Sequence, residues 1–166
     1  TSLDRLIRRH DLHISHVEFN DVNGGSFRTY IRHMNMWGPT ENGLSVGHAI
    51  EREKELGLGE LHTYREFAAK VEIIKHKLKV LLARIHEEGK LIYIAGASTR
   101  GNTLLNVAGL TEYIKFAVER NPAKLGKTYN GIPMVSEKFA RDFPPDYYLV
   151  LPWHFLGEML VREQPY

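Results

Sequence analysis

The chain has no cysteine, and that absence alone excludes disulfides, thiolate zinc sites and cysteine nucleophiles. It also suits a reducing compartment. Long hydrophobic runs are missing as well: none approaches the roughly 18 apolar residues of a membrane span, and the N-terminus lacks the apolar core of a signal peptide. A cytoplasmic protein with no membrane partner is expected. Nor is there an excess of charge of one sign. Lys and Arg number 22 against 20 Asp and Glu, a formal net charge of +2, and the two signs are interspersed, which argues against a nucleic-acid partner. Internal repeats and low-complexity tracts are also absent. What is present is a mixed sequence of 166 residues with 43% hydrophobic content, enough for one sizeable core. It opens at Thr1 on what reads as a helix already under way, so a segment of a longer protein is expected.

Ser2 can cap that helix, whose apolar positions Leu3, Leu6 and Ile7 share one face and which ends near His10. Two β-rich runs follow, LHISHVEF and SFRTYIRHM. Between them, Asn23-Gly24 supplies the positive φ angles of a tight reversal, so a β-hairpin is expected. Residues 35–43, NMWGPTENG, carry the Gly, Pro and Asn of a linker, and a boundary falls there, dividing 1–34 from 35–166. Beyond it SVGHAIEREKELG reads as a helix with Ser45 as cap and Gly57 as stop. A longer helix starts at Thr63, where TYRE has the form of a capping box. Its apolar positions, from Tyr64 and Phe67 through Val71, Ile74 and Leu78 to Ile85, recur at helical spacing up to Gly89. Lys70, Lys75, Lys77 and Lys79 read as its solvated face.

After Gly89 strand and helix patterns alternate. KLIYIA, YIKFAVE and DYYLVL read as strands; TLLNVAG, SEKFARDF and HFLGEMLVREQ read as helices. Such alternation predicts an α/β fold, a parallel sheet with flanking helices, preceded by the hairpin and a long linking helix. Ligands of such sheets sit beyond the carboxyl ends of the strands, which directs attention to GASTRGN, ERNPAKLGK and PWHF. In the first, Gly96 and Gly101 permit a tight turn, Ser98 and Thr99 carry hydroxyl donors, Arg100 carries charge, and the helix start near Asn102 offers free amides to a phosphate. Glu119 ends the next strand, where an acid often meets ribose hydroxyls. The spelling of the turn departs from G-x-G-x-x-G, so a nicotinamide cofactor is a weak reading; a glycine turn that merely joins strand to helix is the plain alternative. Trp153 can stack on a base or sugar and His154 can hydrogen-bond or move a proton, or the pair can be packing and a helix start. His10, His13 and His16 mimic a metal site in their spacing but would not share one face, and no metal is expected.

Taken in order, NGGSFRTYI, IAGASTRGNTLLN, ERNPAKLGK, IPMVS and LPWHF with REQ resemble the C-terminal region of the S-adenosylmethionine-dependent sugar C-methyltransferases, which methylate carbon on nucleotide-linked keto-deoxysugars. The resemblance covers nearly the whole chain. It implies a three-part protein: an N-terminal cysteine zinc module, a central domain that binds S-adenosylmethionine, and a C-terminal Rossmann-like domain that helps hold the nucleotide-diphosphate sugar. Only the last part is matched here, with residues 1–34 resembling the closing helix and hairpin of the central domain. At position 23 the chain has Asn where many relatives carry His. The implied chemistry is deprotonation beside a ketone to an enolate that attacks the methyl group, with the base in the upstream domain, so no catalytic residue is assigned here and the isolated segment is expected to be inactive. By the same resemblance Gly24, Gly25, Ser26 and Arg28 line the active-site edge. Ser98, Thr99, Arg100 and Asn102 hold the diphosphate, and Glu119, Asn121, Lys124, Trp153 and His154 complete the substrate site. An independent nucleotide-binding Rossmann-like enzyme, or a non-catalytic assembly domain built on the long helix, are the alternatives.

Overall fold

The computed structural model of the chain describes residues 2–36 and 43–165. The linker expected over 35–43 lies largely outside them. Two compact units are present, residues 1–69 and residues 70–166, and the division falls within a single helix, α3 (Leu61–Glu87). Among the described residues no helix is long and apolar enough to cross a membrane.

In the first unit α1 (Ser2–Arg8) leads into the expected hairpin of β1 (Leu12–Asn20) and β2 (Ser26–His33), paired antiparallel from Leu12↔His33 to Asn20↔Ser26. The reversal is broader than a two-residue turn. It is a short 3-10 turn with Asn23 at φ 55°, Gly24 at φ 82° and Gly25 at φ 120°; the last of these is a conformation that glycine enters without strain. Along β1, His13, Ser15 and Val17 are buried while His16 faces the other way, so His13 and His16 share no face. Helix α2 (Gly43–Glu55) starts before Ser45. That serine is therefore not the cap expected: its hydroxyl accepts from the Val17 amide at 3.1 Å and lies 2.8 Å from His16 Nδ1, and it joins α2 to β1. Thr63 departs in the same way. Helix α3 is already under way at Leu61, and the Thr63 hydroxyl donates to the Gly57 carbonyl at 2.9 Å instead of capping the helix.

The second unit holds a five-stranded sheet of order β5-β6-β4-β3-β7, made of β3 (Ile92–Ala95), β4 (Phe116–Glu119), β5 (Thr128–Tyr129), β6 (Ile132–Ser136) and β7 (Tyr147–Val150). β6, β4, β3 and β7 run parallel, and β5 is an antiparallel edge. Strands β5 and β6 had no counterpart among the strands expected, which were β3, β4 and β7. The run IPMVS is short and contains Pro133, which cannot donate to a ladder; Pro133 sits opposite Thr128 on the edge pair, while Met134 to Ser136 pair with β4.

Alternation along the parallel strands separates two apolar layers. Ile92, Ile94, Ala117 and Met134 point to one face, under Leu82 and Ile85 of α3 and Leu105 and Ala108 of α4 (Thr99–Ala108). Ile94, Leu105 and Leu110 are 0% exposed, and each fully buried aliphatic side chain of this kind contributes about 1.5–3 kcal/mol. The opposite face carries Tyr93, Phe116 and Val118 under Ala140 of α5 (Glu137–Asp142), with the Tyr93 and Phe116 rings edge-on at 5.2 Å. Helix α6 (Leu156–Glu163) closes the unit. Gly89 and Gly109 end α3 and α4 in left-handed conformations, each helix closing with a pair of reversed amide bonds.

At the amino end of the sheet, Asp146 accepts from the Leu91 amide at 2.8 Å and from Lys90 Nζ at 3.1 Å. Those bonds, the amide first and then the ammonium, hold its carboxyl below the usual range.

Candidate functional site

Numbered in chain order, the parallel strands stand 3-2-1-4 across the sheet, because β4 and β6 build outward on one side of β3 and β7 lies on the other. The direction of winding reverses between β3 and β7, and a crevice opens at the carboxyl ends of strands flanking such a reversal. A cleft of about 530 Å³ occupies this place. Ala95 ends β3 and Gly96 follows it, Val118 and Glu119 end β4, Val150 ends β7 with Pro152 beyond it, and Phe155, Leu156 and Met159 close it from the α6 side.

The first wall is the turn from Gly96 to Ser98. Gly96 has φ 83°, and a Cβ there would meet Pro152 at 3.0 Å. Ser98 caps α4, its hydroxyl accepting from the Gly101 amide at 3.1 Å, and its carbonyl accepts from the Tyr129 hydroxyl. Burial pushes the Tyr129 hydroxyl up, with the bond to Ser98 opposing, so the group is a neutral donor at physiological pH. Gly101 is buried, and a Cβ there would lie 2.6 Å from Leu151 Cδ1 and 2.8 Å from the Tyr129 hydroxyl. The turn is thus pinned by β5 on one side and by the end of β7 on the other, and its glycines are required by close approach.

The second wall is the end of β4. Glu119 Oε1 accepts from the amides of Arg120 (2.9 Å) and Asn121 (3.0 Å), while Oε2 accepts from Lys124 Nζ (2.9 Å). Lys124 Nζ also reaches the Ala97 carbonyl at 3.4 Å. Burial alone would raise the Glu119 carboxyl, but the Asn121 amide, the Lys124 ammonium and the Arg120 amide outweigh it and the acid is held low.

The third wall is an ion-pair network between α5 and α6. Glu137 stands 3.0 Å from Arg162, 3.6 Å from Arg141 and 3.9 Å from Arg120, and Arg120 also reaches Glu158 at 3.6 Å. Glu163 accepts from Arg141 through two bonds, at 2.9 and 3.0 Å; chiefly for that reason its carboxyl is also held low. The cleft therefore joins an apolar floor to a rim on which both signs of charge are fixed in place.

Of the residues expected from the sequence, the cleft brings together Ser98, Glu119 and Lys124. Thr99, Arg100 and Asn102 lie in the first turn of α4 next to it, with Thr99 and Arg100 exposed. Asn121 is exposed and its side chain accepts from the Ala123 amide at 3.0 Å, fixing the loop after β4. Trp153 is 68% exposed, and the His154 ring lies tilted against that of Phe155, 4.3 Å between centroids; of this trio only Phe155 lines the cleft. Gly24, Gly25, Ser26 and Arg28 belong to the first unit, where all four are exposed and Arg28 lies 3.6 Å from Glu18.

The sequence model of the C-methyltransferase C-terminal domain family matches residues 21–166, most of the chain and all of the second unit. The chain belongs to that family. It is also 32% identical over 168 residues to the C-methyltransferase NovU of Streptomyces niveus, an alignment that takes in 99% of this chain and 40% of the relative. The C-methyltransferase C-terminal domain thus spans about two-fifths of the length of the curated relative it matches. Within this C-terminal domain the sequence reading missed Arg120, Glu137, Tyr148, Met159 and Arg162, all of which line the cleft. Glu137 and Arg162 showed only as polar positions on helices already recognised, Met159 as an apolar position on one of them, Tyr148 as a residue of an expected strand, and Arg120 as part of the loop after β4. Nothing in the order of residues says that Glu137 and Arg162 meet.

Proposed function

We propose that this chain is the substrate-holding C-terminal part of an S-adenosylmethionine-dependent C-methyltransferase acting on a nucleotide-linked keto-deoxysugar in the cytoplasm. The observation that carries the reading is the cleft at the winding reversal, with the preformed turn Gly96–Ser98, the amino end of α4 and Lys124 at its edge. An anion at the start of α4 gains backbone amides and the helix dipole, and Arg100 in the first turn supplies charge-assisted bonds to a diphosphate. The apolar floor with Tyr148, Phe155 and Met159 offers a surface on which a base or sugar ring can stack.

S-adenosylmethionine supplies the methyl group. In this cleft the acid at the end of β4, where a ribose diol would be read, is already taken by its own loop, so the cleft offers that cofactor no free carboxylate for its ribose. The methyl donor and the base that forms the enolate are assigned to an upstream domain, whose closing elements are residues 1–34. This chain's own residues bind and orient the nucleotide-sugar and do no proton transfer, and the segment alone is inactive. An assembly role is a second reading, favoured by the apolar stripe on α3, where Tyr64, Phe67 and Ile74 are 53%, 66% and 58% exposed.

The test is the dissociation constant of a deoxythymidine-diphosphate sugar for the full-length protein, measured with and without Arg100→Ala. The expected loss is about 1.5–3 kcal/mol, the worth of a hydrogen bond to a charged group, with the melting temperature nearly unchanged because the residue is exposed. Unchanged affinity would remove Arg100 from the site, and no binding by the unaltered protein would defeat the reading.

A further inference from the structure

Glu119 stands where the second strand of a Rossmann-like sheet ends, the position from which an acid takes the ribose hydroxyls of a bound nucleotide. Its geometry opposes that role. A carboxylate has about four lone-pair sites, and here Oε1 accepts two backbone amides at 2.9 and 3.0 Å while Oε2 accepts Lys124 Nζ at 2.9 Å. One site is left, too few to take up both hydroxyls of a vicinal diol through two oxygens. The side chain is only 12% exposed, so a ribose has little of it to reach. The bonds also have a direction. All three fasten the loop after β4, and the last fixes the Lys124 ammonium, which reaches the Ala97 carbonyl of the opposite wall at 3.4 Å. An ammonium has three donors, so after Glu119 and Ala97 one N–H remains for a guest, at the edge of the turn that ends in the α4 cap.

We infer that Glu119 serves the phosphates and not the ribose: it is a positioning residue that holds Lys124 as an anion donor across the cleft, and the site accepts ribonucleoside and 2′-deoxyribonucleoside diphosphates alike. The inference rests on the nucleotide reading above and adds to it which part of the nucleotide goes undiscriminated. A specific preference for a hydroxyl requires a buried polar partner that is left unpaired without it, and Glu119 is satisfied in the absence of any ligand.

Calorimetry on the full-length protein with uridine diphosphate, 2′-deoxyuridine diphosphate and inorganic pyrophosphate tests this. The ratio of the two nucleotide dissociation constants is expected to stay within about threefold, below the roughly tenfold that 1.4 kcal/mol would give, and to be unmoved by Glu119→Gln. Lys124→Ala is expected to weaken all three probes by about tenfold or more, and Glu119→Gln to have no further effect in that background. A ribonucleotide preference of tenfold or more that Glu119→Gln abolishes would overturn the inference. So would nucleotide binding indifferent to Lys124→Ala, which would leave the nucleotide site itself standing. Pyrophosphate binding that depends on Lys124, without binding of either nucleotide, would keep the anion clamp and defeat the nucleotide reading; binding of none of the probes would defeat both. Should Glu119→Gln fail to fold, the ratio in the unaltered protein decides alone.

Discussion

β2 has 8 residues and β3 only 4, yet Ile92, Tyr93 and Ile94 of β3 are buried at 1%, 2% and 0% exposure while β2 buries nothing. The difference lies in their neighbours. β3 has a parallel partner on each edge and apolar layers on both faces; β2 has one partner within its unit, and Phe27 and Ile31 on it are 58% and 43% exposed. A two-stranded ribbon is marginal by itself in water, whereas a sheet of three or more strands packed on helices can stand alone. The second unit therefore carries its own stability, and the first unit's hairpin draws on α2 through Ser45 and through Arg52, whose guanidinium lies 5.4 Å from the Phe19 ring centroid.

The sharpest way to break this comparison is at Leu105, which is 0% exposed. Leu105→Ala is expected to cost the second unit about 2–5 kcal/mol in urea unfolding, read unit by unit through amide exchange of β3 and β1. A loss under about 1 kcal/mol would deny that this core holds the unit. Next comes Gly101→Ala, where the new Cβ must displace both Leu151 and the Tyr129 hydroxyl. The expected cost is about 1–3 kcal/mol, and an unaltered melting temperature would show that the turn is looser than its contacts. The smallest effect belongs to the first unit: Phe27→Ala should stay within about 0.5 kcal/mol. A much larger loss in the full-length protein would place this face under another part of that protein and convert an exposed ribbon into an interface.

The regions differ again in how far the sequence announced them. The hairpin was legible because Asn23-Gly24 is a strong local signal, and β3, β4 and β7 because each is an apolar run between turn residues. β6 was not, since Pro133 interrupts it and its fitness as a strand comes from pairing Met134 with Ala117, a contact that closes only on folding. Ser45 and Thr63 show the same limit on a smaller scale. Each has the chemistry of a cap, but a hydroxyl bonds whatever polar group is nearest, and here these are the Val17 amide and the Gly57 carbonyl. At the site, the turn and the ends of β3 and β4 could be located from strand periodicity and glycine. The ionic wall could not, because Glu137 and Arg162 belong to different helices and their pairing at 3.0 Å is a product of packing. Glu119 was found by position, but its partners were invisible until the loop after it had a shape.

Parallel neighbours have no connecting turn to set their alignment, and for β3 and β7 the carboxylate of Asp146 does that work from the far end of the sheet. By gripping the Leu91 amide and Lys90 it fixes the starting line of both strands, from Ile92↔Tyr147 to Ala95↔Val150. Side chains alternate along a strand, so slippage by one residue would exchange its two faces: Tyr148 and Val150 would leave the cleft and Leu149 would leave the core for it. The contour of the cleft floor is thus set by a salt-bridged acid one strand length away, which makes Asp146 a gauge for a cleft it does not line.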